Sequence, residues 1–177
     1  MSNIITTIYK SPVGEITLGV FEDKLCMCDW TYRKQREAVN KRIEVTCQAE
    51  MITGTHELID QTIYQLDRYF TKEIQKFHLP ILLCGTEFQK SVWNDLVEIP
   101  YGETMSYSSL SRKRKNPKSI RAVAAANGAN ALSIIVPCHR IIGADGALTG
   151  YAGGLRAKQA LLDLEGIDLS HGQQSLF

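Results

Sequence analysis

TEFQKSVWNDLVEIPYGETMSYSSLSRKRKNPKSIRAVAAANG, residues 86–128, decides the fold. Thr86 is a hydroxyl N-cap ahead of Phe88, Val92, Trp93, Leu96 and Val97, an apolar stripe that predicts an amphipathic helix. Pro100 stops that helix and Gly102 opens a turn. Residues 106–112 read as a short helix, broken by Asn116-Pro117. Pro117 suits the first turn of a further helix running to about Gly128. Two short helices joined by a tight turn, with cations at the junction, form the helix-turn-helix pattern. The segment 85–177 is therefore predicted to be a mostly α domain.

Working outward, residues 4–9 (IITTIY), 15–22 (EITLGVFE) and 25–30 (LCMCDW) alternate or cluster apolar and β-branched residues. Ser11-Pro12 and Glu22-Asp23 punctuate them, which predicts an antiparallel meander. A helix over 33–45 follows, then one over 55–70 with Leu58, Ile59, Ile63, Leu66 and Phe70 at helical spacing. Residues 77–83 are predicted as a last strand. The segment 1–84 thus reads β-β-β-α-α-β, an α/β domain without a catalytic constellation. Beyond the decisive stretch, 134–136 reads as a short strand ending at Pro137. A final helix over about 154–165 aligns Ala157, Ala160, Leu161 and Leu164 and stops at Gly166.

The 177 residues, 44% apolar and 22% charged, suit one large domain or two small ones. No apolar run approaches the roughly 18 residues that span a bilayer, so a membrane protein is excluded. The start, MSNIITTIYK, does not read as a signal peptide, and the cysteines at 26, 28, 47, 84 and 138 read as cytosolic free thiols. Net charge is only +1, yet the 41 residues from Thr104 to Ala144 contain no acid. They do contain Arg112, Lys113, Arg114, Lys115, Lys118, Arg121 and Arg140. This uncompensated run is either a solvated face or a surface for a phosphate backbone.

Val136-Pro137-Cys138-His139-Arg140 carries the chemistry. Cys138 follows an apolar segment and a proline, inside the basic stretch, and a positive surrounding favours thiolate. His139 beside it is a candidate base. Adjacent side chains in an extended segment point apart, so His139 would act through a water or after a turn. Glu165 ends the last helix, where a carboxylate opposes the helix dipole. Plain exposure accounts for it, as does a partner such as histidine. Cys26, Cys28, Cys47 and Cys84 read as buried structural thiols. Cys26-x-Cys28 lacks the second ligand pair that structural zinc requires, and alternation on one strand face accounts for it better.

These segments carry a resemblance. TEFQKSVW (86–93), IPYGETMSY (99–107), NPKSIRAV (116–123), VPCHR (136–140) and GYAGG (150–154) resemble the O6-alkylguanine-DNA alkyltransferases, the methylated-DNA–protein-cysteine methyltransferases of direct DNA repair. The motifs hold the family's order and spacing over about residues 80–168. The resemblance implies a ribonuclease H-like α/β domain followed by a winged-helix domain with the helix-turn-helix. It implies Cys138 as alkyl acceptor, with His139 and Glu165 as its water-bridged relay. Tyr107 matches the tyrosine that protonates the leaving guanine at N3, and Asn130 the hinge between recognition helix and active-site loop. Arg121 matches the arginine that replaces the extruded nucleotide. Tyr151 and Ala152 match the segment over the alkyl group, and the backbones of Cys138 and Ile141 the acceptors for the guanine amino group. Asn127 and Ser133 fall at pocket-wall positions.

The implied partner is double-stranded DNA carrying alkylated guanine, held in the minor groove, with no cofactor, no metal, no membrane and no obligate protein partner. The small side chains Ala122, Ala125 and Ala126 let a helix approach that narrow groove, while Arg112, Lys113, Arg114, Lys115 and Lys118 hold phosphates without reading sequence. Some members carry a zinc set of Cys and His; Ser2, Phe21 and Cys26 do not match it. The reaction implied is a single irreversible displacement in a cytoplasmic monomer, or a nuclear one in a eukaryote. O6-alkylguanine is the substrate, with O4-alkylthymine a possible second one. Two alternatives stand beside it: a non-catalytic binder of alkyl damage, which would lack the acceptor cysteine, and a Cys/His hydrolase.

Overall fold

The computed structural model describes residues 2–116 and 119–169. Strands β1 (Ile4–Ser11), β2 (Gly14–Phe21) and β3 (Lys24–Trp30) form the expected antiparallel meander. Helix α1 (Arg36–Cys47) crosses over to β4 (Met51–Thr53), which lies parallel to β1. The sheet order is β3-β2-β1-β4. Helix α2 (Glu57–Phe70) closes this half, burying Leu58, Ile59, Leu66 and Tyr69.

The element order is therefore β-β-β-α-β-α, and the strand expected over 77–83 is absent. That segment touches the sheet at one bridge, Ile81 beside Leu25. Leu25 N donates to Pro80 O at 2.8 Å and Leu82 N to Leu25 O at 2.9 Å. Pro80 has no N–H to extend the ladder. β4, three residues long, is too short to show a period.

The alternation of Cys26 and Cys28 on one face also fails. The β2–β3 register slips between Gly19 and Val20, opposite Cys26. This bulge sends Cys26 into a small cluster with Ile4, Ile43, Cys47 and Cys84, while Cys28 enters the main core.

In the second half α3 (Glu87–Val97) starts at Thr86, whose hydroxyl accepts from Gln89 N while the Gln89 side chain accepts from Thr86 N, a capping box. Val92, Trp93 and Leu96 are buried, but Phe88 and Val97 of the expected stripe are exposed. Two-residue β5 (Met105–Ser106) pairs parallel with β6 (Ile141–Ile142). It leads directly into α4 (Tyr107–Lys113), followed by α5 (Ile120–Gly128) and later by α6 (Leu155–Leu164). Pro117 and Lys118 lie outside the described residues.

The expected strand over 134–136 is a turn. Ile134 has φ 73°, outside the extended region, and Ser133 bridges to Val136. Ile134 and Val136 are buried because the segment docks on β3, with Cys28 N donating to Ala131 O at 2.8 Å. One core joins the halves: Leu18, Trp30 and Tyr69 pack with Trp93, Leu110, Val136 and Leu161. Among the described residues no helix is long and apolar enough to cross a membrane.

Candidate active site

Cys138 opens a single 3-10 turn, residues 138–140, and is 3% exposed. Pro137 and the turn behind it fix the entry: Cys138 N donates to Val136 O and Arg140 N to Pro137 O. The tight turn changes the geometry expected of an extended segment. It directs His139 and Arg140 to one carboxylate, that of Glu165.

Glu165 caps the C-terminus of α6, and the reading of plain exposure is overturned, since its side chain is fully buried. Its carboxylate accepts from Tyr69 Oη at 2.8 Å, from Arg140 Nε at 2.9 Å and from Arg140 Nη2 at 2.8 Å. His139 Nε2 lies 2.9 Å from Oε1. Burial alone would raise the carboxyl pKa, but the hydrogen bonds from His139 and Arg140 outweigh it and hold the group down at about 2. A carboxylate can only accept, so His139 Nε2 carries the proton. Burial lowers the imidazole pKa against the pull of Glu165, so the ring is neutral. Nδ1 is then a free base, and it is buried with no protein partner.

Cys138 is not the resting thiolate that its basic sequence neighbours led one to expect. Burial raises its pKa; a hydrogen bond from Asn130 and the charges of Lys158 and Arg33 pull the other way. Asn130 braces the loop as well: its Nδ2 donates to Val136 O and its Oδ1 accepts from Leu132 N, both at 2.9 Å.

Three groups at this site escaped the sequence reading. Tyr69 comes from α2, in the half that showed no chemistry. Lys158 is fully buried, donates to Thr149 O at 2.9 Å and has its pKa lowered by burial to about 8. Its signal was present: Lys158 and Glu165 stand seven residues apart, on one helix stripe with Leu161 and Leu162. The third is a clamp at the end of α5. Buried Asp29 holds Arg33 and Arg36 at 3.0 and 3.1 Å. Arg33 donates to Gly128 O at 2.7 Å and to Asn130 O at 3.3 Å, and Arg42 donates to Ala129 O at 2.6 Å. Three successive carbonyls beside Asn130 are thus held from the first half.

The remaining named residues lie as follows. Tyr107 is half-buried at the start of α4, and Arg121 is exposed at the start of α5. Ala122 and Ala125 are exposed, but Ala126 is 2% exposed and faces the core, its carbonyl accepting from Trp93 Nε1 at 2.8 Å. Ile141 is buried in β6. Ser133 is buried with its hydroxyl 3.4 Å from Asp29, and Asn127 is buried with Oδ1 unpartnered. Tyr151 and Ala152 line a groove beside α5.

The uncompensated basic run is a property of the sequence and not of the surface. Lys113 pairs with Glu98 at 3.0 Å, Arg114 with Asp95, and Arg140 with Glu165. Arg112, Lys115 and Arg121 remain exposed without an ion pair among the described residues. Among those residues no cluster of three or more His, Cys, Asp or Glu side chains is arranged to hold a metal ion.

Two family models match the chain. "6-O-methylguanine DNA methyltransferase, ribonuclease-like domain" covers residues 4–83, and "6-O-methylguanine DNA methyltransferase, DNA binding domain" covers 87–167. The methylated-DNA–protein-cysteine methyltransferase of Methanosarcina acetivorans is 45% identical over 159 residues, 90% of this chain and 96% of that protein. Its Mycobacterium leprae counterpart is 44% identical over 88% of each. The crystal structure of Mycobacterium tuberculosis OGT in complex with DNA superposes with a TM-score of 0.77 at 37% identity, over 91% of this chain and 92% of that one. The O6-methylguanine-DNA methyltransferase of Pyrococcus kodakaraensis shares the fold at 19% identity, with a TM-score of 0.71.

Proposed function

The chain belongs to the 6-O-methylguanine DNA methyltransferase family, and on that premise we propose how its residues divide the work. The protein repairs DNA directly, moving the alkyl group of O6-alkylguanine to a cysteine of its own. We assign Cys138 as that cysteine. A water between Cys138 and His139 carries the thiol proton to Nδ1. The imidazolium that results is stabilised by Glu165, already ionised and hydrogen-bonded to Nε2. The sulfur attacks the alkyl carbon, an S–C bond forms, and the C–O bond to guanine breaks. The electron pair passes into the base, which Tyr107 protonates at N3. The thioether has no route back, so each molecule acts once.

The buried base carries this reading: His139 Nδ1 has no protein partner, one residue from a buried thiol. A hydrolase reading has less support, because both family models and the relatives that match are methyltransferases. The lesion carbon is out of reach within a stacked duplex, so the nucleotide is extruded, with Arg121 filling the gap. Exposed Ala122 and Ala125 let α5 approach the minor groove. We divide the chain into domains 1–84 and 85–177, and place it in a reducing cytoplasm, or a nucleus in a eukaryote, where its five free thiols persist.

Incubation with a methylated duplex, digestion and mass spectrometry test the assignment. The Cys138 peptide gains one methyl group, and Cys138→Ser loses transfer while still binding duplex. Transfer that survives Cys138→Ser, or a methyl on another cysteine, overturns it.

A further inference from the structure

A groove of about 700 Å³ runs between the loop after β3 and helix α5. One wall is segment 32–35 of the first half. The other is α5 at Ala125 and Gly128, and the floor is segment 151–154. Arg121, Ala125 and Gly128 are spaced by four and three residues, so they share one face of α5. At 1.5 Å rise per residue the groove begins about 6 Å along the helix from Arg121. A nucleotide displaced by Arg121 and travelling toward Cys138 under Tyr151 therefore has segment 32–35 beside it. The volume accommodates a nucleotide-sized ligand.

The wall is built to receive an anion and a ring. Tyr32 is 82% exposed at its rim. Arg33 and Arg36 are both engaged with Asp29. Lys34 is exposed and makes no ion pair among the described residues. The wall is also fixed in place. Arg33 binds the carbonyls at the end of α5, and Arg36 Nη1 donates to Trp30 O at 2.9 Å. The Trp30 indole lies under the floor so closely that a Cβ on Gly153 would stand 2.5 Å from it. A contact made by segment 32–35 thus needs no reordering of the loop.

We propose that segment 32–35 is a DNA-contacting surface of the first half: Lys34 binds a backbone phosphate of the strand that carries the extruded nucleotide, and Tyr32 packs against that strand. The inference rests on the reading of α5 as the DNA-facing helix. It assigns the N-terminal half a direct part in holding the substrate, on the side of the pocket opposite the helix-turn-helix.

Affinity for an O6-methylguanine duplex, measured by fluorescence anisotropy over a salt series, tests it. Each phosphate neutralised contributes about 0.9 to the slope of log K against log salt. Lys34→Ala lowers the slope by about that amount and Lys34→Arg restores it. Tyr32→Ala weakens binding with the slope retained. Lys41→Ala removes the same charge from the exposed side of α1, away from the groove, and retains the slope. Arg112→Ala, at the helix-turn-helix, serves as the second reference. If Arg112→Ala lowers the slope and Lys34→Ala does not, or if Lys34→Ala and Lys41→Ala lower it alike, the wall is not a DNA contact and the reading of α5 stands. If neither Arg112→Ala nor Lys34→Ala changes the slope, the reading of this DNA-binding face falls with it.

Discussion

At the residue scale the site is organised by one carboxylate. Glu165 fixes the tautomer of His139, balances Arg140 and receives Tyr69, so its ionised form is part of the folded state. Its pKa of about 2 lies below the ordinary 4.5. A group depressed in this way contributes stability that is fully present above pH 4.5 and is lost as the pH falls toward 2. Glu165→Gln abolishes that dependence and leaves Arg140 buried without a counter-charge, a loss of about 3–5 kcal/mol. Urea midpoints followed from pH 6 to pH 2 check this: the difference between wild type and variant is large at pH 6 and shrinks through the acid window. A difference constant with pH removes Glu165 from the linkage. At this scale the sequence showed the proposed nucleophile and its neighbour, because Pro-Cys-His-Arg is contiguous. It did not show Tyr69 or the arginine clamp. Tyr69 and Glu165 are 96 residues apart in the chain, and no local period encodes a contact made across the core.

At the element scale the legible parts were those whose caps and breakers are local. Thr86 with Gln89 marks its helix in the chain itself. The strands that failed, 77–83 and 134–136, are apolar because they dock on β3, and apolarity without a ladder looks the same in sequence. The same docking sets the pocket floor. Segment 150–154 rests on Trp30 of β3, whose ring meets Tyr151 edge-on at 5.8 Å. Gly153 is required there, since a Cβ would lie 2.5–2.8 Å from three indole atoms. Gly153→Ala therefore costs about 1–3 kcal/mol by overpacking, and slows transfer from free O6-methylguanine as Tyr151 and Ala152 are displaced. Because the clash is with one ring, Trp30→Leu and Gly153→Ala are coupled. In chemical denaturation the double variant loses less than the two singles together, by about 0.5 kcal/mol or more. Strict additivity places the strain elsewhere.

At the scale of the whole molecule, charge and topology have to be read together. The acid-free run suggested seven free cations, but acids outside it reach Lys113, Arg114 and Arg140. Among the described residues folding leaves a smaller set that is both exposed and without an ion pair, Arg112, Lys115 and Arg121, on the helix-turn-helix. Arg121 stands at the start of α5, whose far end is held at Gly128, Ala129 and Asn130 by arginines of the first half. Asn130 in turn braces the loop of Cys138. Arg121 and the braced loop of Cys138 thus stand at opposite ends of one short helix. On the role proposed above, Arg121 contributes to extrusion, which a free base does not need. Unstacking a nucleotide costs a few kcal/mol; if Arg121 offsets about 1.4 kcal/mol of that, its loss is worth about tenfold in rate. Arg121→Ala therefore slows repair of an O6-methylguanine duplex about tenfold relative to its own reaction with free O6-methylguanine. Tyr107→Phe, which removes the proton donor to the leaving base, slows both substrates by a similar factor. Single-turnover rates on the two substrates, each normalised to wild type, separate the roles. Equal losses for Arg121→Ala on duplex and free base would make the residue a support of α5 and the loop it leads to, with extrusion assigned to some other group.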